Sequence, residues 1–429
     1  MVAADARRLS EWLLEARGRL LDLVEGLSPE ALLGPRLDIV NPPLWEIGHV
    51  GWFQEGWVLR HAAGRPPLRQ DGDSLYDSSA VAHHTRWNLP LPSIDETRAF
   101  LSAVEEGVQA LLADGRAERY FVLLSLFHED MHCEALGYTR QTHGYAAPRF
   151  RAADPPAPAD GGPCPGDVSV PGGTFLLGSD RGEDFVFDNE KWSHPVELAP
   201  FAIARAPVTQ GHFRDFVEAG GYRRPDLWGE EGWRWREAAG AEHPVYWRRA
   251  VAGWERRHFD RWLALEPHRP VIHVCWHEAQ AFCRWAGRRL PTEAEWEAAA
   301  RGEPGPGGRL SGRRRRHPWG DEPPSPERAH LDWRGPGCAD VGAYPAGDSA
   351  FGCRQMLGNV WEWTGSDFLP YPGFAADPYR DYSQPWFGTH KVLRGGCFAT
   401  RSRMVHAAYR NFYTPDRRDV LAGFRTCAP

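Results

Sequence analysis

Residues Arg119–Gln141, RYFVLLSLFHEDMHCEALGYTRQ, constrain this chain more than any other stretch. The run has no Pro and a single Gly, Gly137, and its apolar residues lead into polar punctuation, which predicts a helix. His128 and His132 lie four residues apart, so on a helix both imidazoles share one face about one turn apart. Two neutral imidazoles at that spacing can grip one first-row metal ion. Alone, the pair is equally compatible with two unrelated histidines on a half-buried face. A third histidine upstream favours the metal. His49 sits in WEIGHVGWF, among apolar residues and between Gly48 and Gly51. Facing helices of a bundle build metal sites from inward side chains. His49, His128 and His132 together give three imidazoles on one face of an ion. That leaves three octahedral positions for substrate and oxygen, or one tetrahedral position for water. Glu129 and Glu134 flank the pair but point to other faces and read as supporting or surface groups.

The 429 residues suffice for two or three domains. A net charge of -7 argues against nucleic acid or an anionic membrane as the main partner. Lys191 and Lys391 are the only lysines, so a single Arg is a weak functional signal here. The 20 tryptophans suit small cores and cages for quaternary ammonium groups. The amphipathic start lacks the continuous apolar core of a signal peptide, and no stretch approaches a membrane span. The eight cysteines are scattered without a CxxC, which predicts no disulfide scaffold and a cytoplasmic location.

Residues 1–145 read as a four-helix bundle. Ala3–Leu27 has helical periodicity, and Ser28-Pro29 opens a short second helix. Asn41-Pro-Pro starts the helix that carries His49, and Ser93 starts another running to about Ala113. Residues 146–165 are rich in Pro, Ala, Gly and Asp and read as a linker. From residue 166 to 429 Gly and Pro punctuate everything. VSVPGGTFLLGS reads as strand–turn–strand, with helices over about Gln210–Ala219, Trp276–Ala286 and Glu293–Arg301. The fold class is therefore α+β multidomain: a helical bundle followed by a loop-rich α+β domain. Arg313–Arg316 reads as a solvated loop.

The WEIGHV histidine and HEDMHCE resemble the DinB-type bundle. Residues 166–429 resemble the formylglycine-generating-enzyme fold, which is related to C-type lectins. The marks are PGGTFLLGS at Pro171–Ser179, PVTQGHFRDFV at Pro207–Val217 and PVIHVCWHEAQAFCRWAGRRLPTEAEWEAAARG at Pro270–Gly302. HPWGDE at His317–Glu322, MLGNVWEWTGSDF at Met356–Phe368, VLRGGCF at Val392–Phe398 and AGFRTC at Ala422–Cys427 continue them. The fusion resembles the ergothioneine-pathway sulfoxide synthases and their selenium counterparts, the selenoneine synthases. The resemblance implies a non-haem Fe(II) enzyme that uses O2 to join a donor to the imidazole of hercynine (trimethyl-histidine). It places the iron ligands on His49, His128 and His132. It implies a substrate pocket lined by Arg410, Asn411, Phe412 and Tyr413, where an aromatic face meets a trimethylammonium and donors meet a carboxylate. A tyrosine from the segment after WEWT serves as proton or electron donor; Tyr379 is the first choice, ahead of Tyr382 and Tyr371. A structural Ca2+ near Asn359–Trp361 also follows from the resemblance. Cys397 and Cys427 lie where that fold places catalytic cysteines, but form no matching pair and read as structural.

Three departures bear on the donor. Met131 replaces the Gln that contacts the substrate imidazole. Phe412-Tyr413 replaces a Trp-Asp pair, so an acid that helps hold gamma-glutamylcysteine is missing. Arg86 stands alone before Trp87, where paired arginines grip that donor's carboxylates. A donor with two carboxylates needs fixed cations to offset its desolvation. Ser78, His83, His84, Arg86 and Trp87 form a mix suited to a sugar. The sequence therefore favours C–Se bond formation between hercynine and a selenosugar. The alternative is a sulfoxide synthase using cysteine or gamma-glutamylcysteine as thiol donor. Rival classes are a zinc-dependent DinB-type thiol transferase, in which Zn(II) lowers a thiol pKa, and a non-catalytic binding module.

Overall fold

The computed structural model describes residues 3–151 and 159–429 and divides into two compact units, Met1–Ala153 and Asp154–Pro429. Residues 152–158 of the expected linker lie outside the described residues.

Unit 1 is built on four long helices: α1 (Ala3–Val24), α2 (Pro43–Gln54), α3 (Ile94–Ala113) and α4 (Arg119–His143). α1 stops three residues short of expectation, and Gly26, at φ 73°, takes the left-handed conformation just beyond its end. α4 runs two residues beyond expectation, to Gly144 at φ 69°, the usual left-handed end of a helix. α3 opens with a reciprocal cap: Ser93 accepts the Glu96 N–H, and Glu96 accepts the Ser93 N–H. Asn41 does not cap α2. Its Oδ1 instead accepts a hydrogen bond from Arg86 Nη1 at 2.7 Å. Beyond Gln54 the helix of α2 widens into a π-helix, Glu55–Ala62, which periodicity did not announce. Leu20, Leu23, Ile47, Val50, Leu101, Cys133 and Leu136 form one buried cluster, so all four helices contribute to one core.

Unit 2 combines small sheets with short helices. The VSVPGGTFLLGS strands, Asp167–Val170 and Gly173–Leu177, do not pair with each other as a hairpin would. The first pairs with Phe201–Ala204 and the second with His194–Leu198, both antiparallel. Trp361–Asp367 lies inside a four-stranded sheet, between Lys391–Arg394 and the parallel Ala422–Gly423, with Arg410–Tyr413 on the outer side of Lys391–Arg394. The three expected helices are present as Gln210–Glu218, Trp276–Trp285 and Glu293–Arg301. A fourth, Glu230–Ala238, and a three-stranded sheet from Trp247 to Ala264 were not foreseen. Phe175, Ile203, Trp296 and Met356 belong to one buried core cluster. Ion pairs are buried in this unit too. Arg394 bonds Glu293 and Glu297, and Arg410 bonds both oxygens of Glu293. Arg425 and the Trp296 indole both reach Glu362. Removing one partner of such a pair costs about 3–5 kcal/mol, because the other charge stays buried.

Candidate metal centre

The three histidines meet in unit 1. Their ligand atoms lie within 4.8 Å of one another, and among the described residues no other group of His, Cys, Asp or Glu does so. His128 Nε2 and His132 Nε2 are 3.2 Å apart. An ion bound at about 2.0–2.2 Å sets neighbouring nitrogens roughly 3 Å apart, so this spacing fits two adjacent ligand positions. α2 delivers His49, and α4 delivers His128 and His132 from successive turns.

The fold fixes the far nitrogen of two rings. His49 Nδ1 donates to the Tyr76 carbonyl at 2.8 Å, and His132 Nδ1 lies 2.8 Å from Glu46 Oε1. Both contacts leave Nε2 as the inward atom, the arrangement in which an outer partner sets a ligand's tautomer and raises its basicity. Burial, reinforced by the neighbouring His132, holds the His49 and His128 imidazoles well below the usual histidine range. They are neutral and need lose no proton to bind a cation. Aromatic rings hold them in plane: Trp45 stacks on His49 at 4.9 Å and Phe53 on His128 at 3.6 Å. Chemically, three imidazoles on one face suit iron or zinc and leave positions open.

Glu46 was not singled out from the sequence, although it stands one turn before His49 on the same helix. Glu129 is a supporting group in a different sense: fully buried, it bonds Arg17 with both oxygens, at 2.8 and 3.2 Å. Met131 is half-buried on α4, between the two ligands.

Other expected site residues carry structure. Arg86 is buried, its Nη2 donating to the carbonyls of Ser78 and Val81 and its guanidinium 3.9 Å from the Trp45 ring. Burial pulls its pKa down to about 10. The Trp87 indole donates to the Gly34 carbonyl at 3.1 Å. His83 reaches the Val40 carbonyl at 2.8 Å. These contacts hold the segment in place.

In unit 2 the expected pocket residues divide along their strand. Arg410 is 1% exposed and bonds Glu293 and the Asn189 carbonyl, so it is a core cation. Tyr371 donates to Glu293 and lies under the Arg410 guanidinium, which gives it a core role as well. Asn411 accepts the Phe412 N–H and shares the opposite strand face with Tyr413. Phe412 stacks on Phe368 at 4.0 Å and meets Tyr382 at 6.0 Å, and Tyr382 lies 6.0 Å from Tyr379. Asn359 uses its side chain on Ala339 and Gln355. All eight cysteines are free; Cys397 and Cys427 are buried and form no disulfide. Among the described residues, no helix is long and apolar enough to cross a membrane.

Comparison with known proteins covers nearly the whole chain. The profile of the sulfatase-modifying factor enzyme 1-like domain matches residues 152–428, and that of the DinB superfamily matches residues 13–136. The chain is 37% identical to the hercynine oxygenase of Mycolicibacterium thermoresistibile, over 97% of this chain and 94% of that protein. It is 38% identical to the hercynine oxygenase of Mycobacterium tuberculosis, over 96% of each. The formylglycine-generating enzyme of Streptomyces coelicolor is 35% identical over 65% of this chain and 95% of its own length.

Proposed function

The chain belongs to the hercynine oxygenase family, and on that premise we propose that it uses O2 and a non-haem Fe(II) to join a sulfur donor to the imidazole of hercynine. The observation that carries this reading is the set of three converging imidazoles, in a chain similar to named hercynine oxygenases along nearly its full length. An iron ion there supplies binding and activation of O2 and of a thiolate. The protein's part is to keep His49 and His128 neutral, to orient His49 through Tyr76 and His132 through Glu46, and to leave one face open. Tyr379, with Tyr382 beside it, is our candidate proton or electron donor. Tyr371 is set aside because its hydroxyl is held by Glu293.

The relatives favour sulfur over the selenium chemistry that the sequence favoured, since those named are hercynine oxygenases. A selenosugar survives as a second reading on one observation. Arg86 is committed to Asn41, Ser78 and Val81, so it is not available to a donor with two carboxylates. The test is a competition: iron-loaded protein, hercynine and O2 with gamma-glutamylcysteine, cysteine or a selenosugar, read by product mass and O2 uptake. The expected result is hercynine-dependent O2 uptake with a thiol. Preference for the selenosugar would move the assignment to C–Se bond formation. Turnover with zinc and no O2 uptake would overturn both.

A further inference from the structure

One guanidinium joins all four long helices of unit 1. Arg17 of α1 is only 5% exposed. Its Nε and Nη2 donate to the two oxygens of Glu129 on α4, at 2.8 and 3.2 Å. Nη2 also donates to Gln54 Oε1 on α2 at 3.0 Å, and Nη1 donates to the Leu101 carbonyl on α3 at 2.7 Å. The helices run close there: a Cβ at Gly51 of α2 would lie 2.7 Å from the Leu101 side chain.

Both side-chain acceptors stand beside the metal centre. Glu129 directly follows His128. Gln54 directly follows Phe53, whose ring stacks on His128 at 3.6 Å. Gln54 is also the last α-helical residue before the π-helix Glu55–Ala62. Backbone bonding changes there from i→i+4 to i→i+5, so successive side chains turn through a different angle. A boundary displaced toward His49 would turn Phe53 and His49 off their present faces. A planar fork that reaches Gln54 and Glu129 together fixes that boundary against α4. An ammonium carries its three donors at one point and cannot span acceptors on three helices.

We infer that Arg17 is a positioning residue of the metal centre, setting His49 against His128 and His132 through Gln54 and Glu129. The inference rests on those three histidines being metal ligands, and the test separates the two. It uses the full-length protein under nitrogen, without substrate. Chelator competition reads Fe(II) affinity, and the visible spectrum of the Co(II)-loaded protein reads ligand number and geometry. Arg17→Lys keeps a charge opposite Glu129, and should lower Fe(II) affinity about 10–100-fold and shift the Co(II) bands. Gln54→Leu leaves the ion pair with Glu129 and removes the link to α2, and should lower affinity about tenfold. Arg19→Lys is the control. Arg19 is as buried as Arg17 and lies on the same helix, but its carboxylate partner, Glu15, belongs to that helix too. Both readouts should stay at the unsubstituted level in this variant. Native affinity and an unchanged Co(II) spectrum in Arg17→Lys would overturn the inference, even with a lowered unfolding midpoint. Equal losses in Arg17→Lys and Arg19→Lys would overturn it as well. Should Arg17→Lys not fold, Gln54→Leu against Arg19→Lys decides alone. Unsubstituted protein that gives no Co(II) spectrum would reject the ligand set itself, and the inference with it.

Discussion

Two imidazoles of the metal centre are aimed by what holds their outer nitrogen. Glu46 acts on His132 across two helices, so its loss should be felt by the metal more than by the fold. Glu46→Ala is expected to lower iron affinity by about 10–100-fold in a chelator competition. An unchanged affinity would make Glu46 a packing residue. Arg86 presents the opposite case. Its guanidinium is buried against Trp45 and holds Asn41 and two carbonyls, so truncation leaves those acceptors without partners. Arg86→Ala should lower stability by about 2–4 kcal/mol in urea unfolding, with no substrate present. No loss of stability would return Arg86 to a binding role. The spacing of His128 and His132 was legible because helical period alone sets it. Glu46 and the Tyr76 carbonyl were not, because neither contact is fixed by local sequence. Tyr76 reaches His49 from a short helix, Gly72–Tyr76, which the sequence reading did not identify.

Elements differ in how far local sequence announces them. The long helices announce themselves by period and caps, and Ser93 and Glu96 do so by type. Glu230–Ala238 carries two Trp and a Gly in nine residues and shows no clean apolar stripe. The strands around Pro171-Gly172 look like a hairpin locally, yet partners 17 or more residues away take both of them. Gly48 shows what α2 requires. A Cβ there would lie 2.4 Å from the Tyr76 ring, and Tyr76 holds His49. Gly48→Ala should therefore cost about 1–3 kcal/mol by overpacking and lower iron occupancy as well. Loss of stability with full iron occupancy would separate Tyr76 from ligand control.

The short turn Asp188–Glu190 in unit 2 gives a pH signature of its own. Burial, opposed by the Ser179 hydroxyl and by Arg394 and Arg410, raises the Glu190 pKa from 4.5 to about 8. Between these values the native state holds a proton that the unfolded chain releases. Stability from this group therefore falls as pH rises, and the loss is complete only above the folded value. Glu190→Gln removes the titration while keeping an acceptor for Ser179. The variant should match the unsubstituted protein near pH 4 and exceed it by a few kcal/mol, about 1.4 per pH unit of the window, near pH 8. Parallel pH curves in urea unfolding would show that Glu190 ionises normally.

At the scale of the whole molecule, the candidate metal ligands and most of the bulk are divided. All three candidate ligands and both residues that hold their outer nitrogens come from Met1–Ala153, whereas Asp154–Pro429 has its own apolar core and its own buried ion pairs. A ligand that binds only the folded state stabilises what it binds by RT ln(1 + [L]/Kd), about 2.7 kcal/mol at a hundredfold excess over Kd. Iron should act on the segments that deliver its ligands. The amides of 43–54 and 119–136 should exchange more slowly by up to about a hundredfold on iron loading, wherever exchange needs the opening that releases the metal. Amides of 361–367 and 391–394 pair within a sheet that supplies none of those ligands, and their exchange should not change. Hydrogen exchange read by mass spectrometry, with and without Fe(II) under nitrogen, measures both sets in one sample. Equal protection in both would mean that metal binding is coupled to the fold of the larger unit. Protection in neither would mean that the three imidazoles do not hold iron, and the oxygenase reading would lose its centre.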